Sequence, residues 1–140
     1  DVTYSEKIRN MISSYGLDKE IKLWGQIDDE TYKSLHQNSD AFIFINVDQS
    51  WGLAVFEAQS CGLPVFVSKS VGAVEILHDC IDSVFVDPLN ENEIADKILE
   101  VISDSDFYKN ICFKSSTFHH DWTWEKAYSS KMIDLMKSYI

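Results

Sequence analysis

Residues 41–67 read AFIFINVDQSWGLAVFEAQSCGLPVFV, and this stretch decides the fold. It opens on five apolar residues, Ala41-Phe42-Ile43-Phe44-Ile45, the pattern of a strand covered on both faces. A polar loop follows, then a helix over residues 51–60, then a second buried strand over 64–67. One acidic residue, Glu57, sits in that otherwise apolar helix.

The alternation continues in both directions. Upstream, residues 5–15 predict a helix with Ile8, Met11, Ile12 and Tyr15 on one face and Gly16 as its stop. Residues 21–24 predict a short strand ending at Gly25. Asp28 or Asp29 then caps a helix running to about His36, with Tyr32 and Leu35 inward. Downstream, 74–78 predicts a short helix and 83–86 a fourth strand. Residues 91–103 form an amphipathic helix with Ile94, Ile98, Leu99 and Ile102 inward. Helices over 106–118 and 124–139 complete the chain. Four short strands alternating with helices imply an α/β, Rossmann-like three-layer fold, a parallel sheet with helices on both faces. Such sheets bind ligands at the carboxyl ends of their strands. The loops to inspect are therefore 25–28, 46–52, 68–73 and 87–90.

Bulk properties narrow the function. A chain of 140 residues suits one compact domain, and an apolar content of 45% supplies a core. The formal charge of -11 excludes the basic face of a nucleic-acid binder and argues against docking on anionic lipid. Cys61, Cys80 and Cys112 are scattered and odd in number, against a disulfide framework or a zinc site, so reduced thiols and a cytoplasmic location are expected. No apolar run approaches the roughly 20 residues that span a bilayer. The opening Asp1-Val2-Thr3-Tyr4 has no Met, which reads as part of a longer protein.

The loop at 46–52 carries the chemistry. It leaves a buried strand and enters a helix whose first N–H groups and positive dipole end favour an anion such as phosphate. Gly52 either admits a ligand close to the backbone or eases strand-to-helix packing, and both readings stand. Side chains on helices lean toward the N-terminus, so Glu57 reaches back toward this loop. A carboxylate repels phosphate, and a sugar diol fits it better, two O–H donors meeting two oxygens. The alternative is a solvated acid stabilising the helix dipole. The apolar neighbours Val55, Phe56 and Ala58 favour the ligand.

The segment GLAVFEAQSCGLPVFVSKSVGAVEIL resembles the nucleotide-sugar-binding signature of retaining GT-B glycosyltransferases, the glycogen-synthase-like and sucrose-synthase-like group. LWGQIDDETYKSLHQNSDAFIFIN before it and SVFVDPLNENEIADKI after it extend the likeness over nearly the whole chain. The resemblance implies that residues 1–140 are a single, partial nucleotide-sugar-binding domain of a two-domain enzyme, lacking the first strand-helix-strand. It implies a donor, a UDP- or GDP-linked sugar, transferred with retention to a glycan or lipid-linked acceptor held by an upstream domain. Any membrane contact belongs to that domain, and this chain alone is expected to be inert. No metal and no separate cofactor are implied.

By the same resemblance Glu57 binds the ribose hydroxyls, and Gln49, Trp51, Gly52 and Leu53 meet the donated sugar and the diphosphate. Gly25, Gln26 and Ile27 line the base, and Gly72 packs near the sugar and phosphates. Two positions depart from the family. Gln49 stands where a glutamate usually grips the sugar, keeping a donor and an acceptor but losing the charge. Val71 replaces the first glycine of a pair and is expected to narrow the backbone approach. The Gln49 substitution leaves open a non-catalytic sugar-nucleotide-binding or partner-binding domain. An unrelated doubly wound domain, such as a sugar-phosphate epimerase, is a third reading. His119-His120-Asp121 lacks further ligands at metal spacing. Glu75 either stands near the sugar or starts a short helix.

Overall fold

The structure is a computed structural model that describes residues 2–47 and 51–118. Gln49, the His119-His120-Asp121 run and the helix expected over 124–139 lie outside the described residues. The chain divides into two units, Asp1–Tyr32 and Lys33–Ile140.

In the first unit, helix α1 spans Val2–Ser14. Gly16 ends it as the sequence predicts: at φ +68 it lets the Leu17 N–H reach Ile12 O at 3.0 Å and its own N–H reach Ser13 O at 3.0 Å. This is the paired closure that satisfies two orphan carbonyls of a helix end. Of the expected apolar face, Ile8 and Ile12 are half-buried while Met11 and Tyr15 are exposed. The strand expected over 21–24 does not form. A strand needs a ladder partner for its backbone groups, and none pairs with this segment among the described residues. Ile21, Leu23 and Trp24 stay exposed, with the Lys22 ammonium 3.3 Å above the Trp24 ring. Helix α2 spans Asp29–Gln37. Asp28 caps it, accepting the Thr31 N–H at 2.7 Å, and that bond holds its carboxyl below the usual range. Its residues from Lys33 on belong to the second unit, where His36 is buried and tilted against Phe42, whereas Tyr32 is exposed.

In the second unit, strands β1 (Phe42–Phe44), β2 (Val65–Ser68) and β3 (Val84–Val86) form one parallel sheet in the order β1-β2-β3. Alternation sorts the side chains onto two faces. Phe42, Phe44, Val65, Val67 and Phe85 join Val55 and Ala58 of helix α3 (Leu53–Ser60) in one core layer. Phe66 and Val84 join Val101 of α4 (Glu91–Ser103) and Ile111 of α5 (Ser105–Phe118) in the other. Helices thus cover both faces of the sheet. The cover is incomplete at β1: Ile43, on the α4–α5 side, is 49% exposed, so the apolar run is covered on one face only. In α4 the inward stripe is Ile94, Ile98 and Val101, one turn apart, and Leu99 and Ile102 fall on its exposed flank.

Two features fix the lower rim, before β3. The buried Asp82 accepts from the His78 N–H at 2.9 Å, the Ser83 hydroxyl at 3.0 Å and the His78 ring at 2.8 Å. Its carbonyl takes the Gln59 amide from α3 at 2.9 Å and the Ser115 hydroxyl from α5 at 2.8 Å, tying the two helices together. The upper rim begins with Asn90, whose side chain accepts the Glu93 N–H at 3.1 Å and caps α4. Asn90→Ala is expected to cost about 1 kcal/mol, read as a lower urea midpoint at unchanged slope.

Candidate functional site

At the carboxyl ends of β1 and β2 the two departing chains are clamped together. Ser68 closes β2, fully buried, and its hydroxyl accepts the Asn46 N–H at 2.8 Å and donates to Asn46 O at 2.7 Å. The Ser70 hydroxyl donates to the same carbonyl at 2.6 Å. A parallel sheet leaves backbone groups unpaired where its strands part, and the two serines satisfy those of Asn46. Nothing in the residue types of the loop announced this; a polar residue ending a wholly apolar strand is the signal.

The chain returns at Trp51 and enters α3 through Gly52, whose φ of 82 and ψ of 46 are left-handed and which offers no side-chain cap. A Cβ here would lie 2.9 Å from Val71 Cγ1 and 3.4 Å from Phe44 Cε1. The packing reading of Gly52 is thus the one these contacts show. Gly52 packs the helix start against the sheet, and it leaves the first N–H groups of α3 without a side chain in front of them. The Val71 side chain is 1% exposed and lies under Gly52 in the core, and Val71 also takes part in lining the adjacent cleft.

Trp51 lies on Gly72. A Cβ on Gly72 would fall 2.9 Å from the indole Cε3 and 3.4 Å from the Trp51 Cα, so glycine makes the room that the ring occupies. Beside them opens a cleft of about 370 Å³ lined by Trp51, Lys69, Ser70, Val71, Gly72, Val74 and Glu75. The short helix expected at 74–78 is a 3-10 turn over Gly72–Glu75, with Glu75 exposed at its end.

Leu53 and Glu57 are both exposed and stand one turn apart on the outer side of α3, opposite the buried Val55 and Ala58. The apolar neighbours Val55 and Ala58 thus turn inward, while Glu57 is exposed. The structure brings Trp51, Gly52 and Gly72 together and places Leu53 and Glu57 along the helix that starts there. Gly25, Gln26 and Ile27 belong to the first unit: Gly25 has φ +66, Gln26 is exposed and Ile27 half-buried.

Lys69, which matches no phosphate-binding position of the family, also lines the cleft. The Lys69 N–H bonds Val86 O at 3.0 Å, and its ammonium meets Glu93 Oε1 of α4 at 3.2 Å. Lys97 approaches the same oxygen at 3.5 Å. The Lys69 bond, with the charge of both lysines and the Lys97 bond, holds the Glu93 carboxyl below the ordinary range against the opposing effect of burial. No group of three or more His, Cys, Asp or Glu among the described residues is placed to hold a metal. No helix among them is long and apolar enough to cross a membrane.

Comparison with known proteins bears on the family and the fold. The family model described as glycosyl transferases group 1 matches residues 1–113. A sucrose synthase from Melioribacter roseus is 30% identical over 154 residues, taking in 99% of this chain and 19% of that protein. The C-terminal domain of a glycosyl transferase group 1 family protein from Francisella tularensis matches with a TM-score of 0.78 at 27% identity, over 86% of this chain and 62% of that one. An Anabaena protein solved in complex with UDP-glucose shares the fold, with a TM-score of 0.80 and 20% identity over 100% of this chain and 38% of that one. This chain therefore spans only part of the relatives it matches.

Proposed function

This chain belongs to the glycosyl transferases group 1 family, and from that premise we propose that it binds the nucleoside-diphosphate-sugar donor of a retaining glycosyltransferase. The observation that carries the reading is the bare, left-handed Gly52 at the start of α3, beside a cleft walled by Trp51. The N–H groups that open α3 take the diphosphate, aided by the positive end of the helix dipole. Glu57 receives the two ribose hydroxyls, and its charge, which would repel phosphate, suits O–H donors. The exposed indole of Trp51 gives the donated sugar an apolar wall, with the Ser70 hydroxyl and Glu75 carboxylate in the same lining. Gln49 contributes an amide to the sugar in place of a carboxylate. Gly25, Gln26 and Ile27 line the base.

On this reading the acceptor enters from an upstream domain, and the donor's own phosphate oxygen takes the acceptor's proton as the sugar moves. A donor site alone supplies positioning for one substrate, so these 140 residues by themselves transfer nothing. The test is turnover by the full-length protein. It should release nucleoside diphosphate from one of UDP-, GDP- or ADP-glucose, and proton NMR of the product should show the donor's anomeric configuration retained. Inversion at the anomeric carbon, or no release from any sugar nucleotide across a wider donor panel, contradicts the proposal.

A further inference from the structure

We infer that Lys69 is a movable phosphate-binding residue that can exchange its ion pair with Glu93 for the donor's diphosphate. The inference rests on the donor-site reading and names a cation for it. The chain carries a formal charge of -11, and Glu75 adds a carboxylate to the cleft lining, so a diphosphate held at the start of α3 beside that cleft needs a compensating charge. Lys69 is the one lysine or arginine in the described lining.

Its surroundings suit a group that moves. The backbone N–H of Lys69 is fixed on Val86 O, while its side chain is 55% exposed on a flexible four-carbon stem. Glu93 offers Oε1 to two ammonium groups, Lys69 at 3.2 Å and Lys97 at 3.5 Å. Lys97 is held more firmly: it is 26% exposed and also donates to Phe85 O at 2.5 Å. When Lys69 leaves, Glu93 keeps a partner, so no half-buried charge is stranded, which is the usual obstacle to opening an ion pair. One carboxylate between two lysines leaves a net positive charge at the rim in both positions.

Titration calorimetry of the full-length protein with UDP, GDP and ADP, and NMR titration with the matching nucleosides, separates the outcomes. For the diphosphate that binds best, Lys69→Ala should weaken affinity about tenfold and leave the nucleoside within about twofold, with Lys69→Arg restoring most of the loss. Glu93→Gln should act in the opposite direction, tightening the diphosphate a few-fold by releasing Lys69. A merely structural pair would respond to both substitutions alike, by losing stability and affinity together. Unchanged diphosphate affinity in Lys69→Ala, or weakening by both variants, overturns the inference and leaves the donor site standing. Weakening toward a hexose 6-phosphate alone overturns it too, by assigning Lys69 to a phosphorylated acceptor. If the wild-type protein binds none of the three diphosphates, the donor-site reading fails first and takes this inference with it.

Discussion

Gly52→Ala should lower the stability of the protein by about 2–5 kcal/mol and abolish measurable donor binding. Two penalties combine. A side chain at φ 82 costs about 1–2 kcal/mol, because the left-handed region crowds Cβ against the following carbonyl. The new methyl also meets Val71 Cγ1 at 2.9 Å, with Phe44 and Val55 close behind, and filling a packed site costs about 1–3 kcal/mol. Relief of that contact moves the start of α3 and with it the N–H groups assigned to the diphosphate. The two penalties can be separated. Adding Val71→Ala removes the methyl clash but not the backbone cost, so the double variant should recover part of the loss. A fall below about 1 kcal/mol in Gly52→Ala, by urea denaturation, would mean that neither penalty operates.

Glu57→Ala should leave the fold intact, since the residue is exposed, and remove most of the stabilisation that a donor confers. A ligand at one hundred times its dissociation constant raises stability by about 2.7 kcal/mol. Two hydroxyl bonds to a carboxylate are worth enough together that their loss weakens binding about a hundredfold. At the same ligand concentration the variant then gains only about 0.4 kcal/mol. Glu57→Gln, which keeps the length and loses the charge, should fall between. A 2′-deoxy donor gives an independent reading: the wild type should prefer the ribose form, and Glu57→Ala should treat the two alike. If the melting shift survives the substitution, the ribose assignment to Glu57 is wrong.

Local sequence pattern carried the architecture wherever an element buries its own apolar face. The strands centred on Phe66 and Phe85 and the helix Glu91–Ser103 were legible because their side chains meet a partner in the same unit. Pattern failed where the partner decides. Residues 21–24 have strand-like composition but no ladder among the described residues, and Ile43 has the composition of a covered strand with one face open. Periodicity in α4 could not tell Val101 from Leu99 and Ile102, because all lie within a turn of Ile98 and only packing against α5 selects the stripe.

The site was legible in part. Gly52, Trp51 and Gly72 came from a motif whose spacing is local, and the structure brings them together. Glu57 was placed on the right helix, but its exposure could not be read from neighbours that turn the other way. That Val71 packs in the core under Gly52 as well as lining the cleft could not be read from the motif. The Ser68–Asn46 clamp and the Lys69–Glu93 pair join residues 22 and 24 positions apart, beyond the reach of helix or strand periodicity.

The account turns on one claim, that the first N–H groups of α3 and the cleft beside them hold a nucleoside-diphosphate sugar. The most direct test is titration of the full-length protein with UDP-, GDP- and ADP-glucose, followed by calorimetry and thermal melting. The account predicts binding of at least one donor, with stabilisation of about 2.7 kcal/mol at one hundred times its dissociation constant. No heat and no shift in melting temperature with any of the three would contradict it.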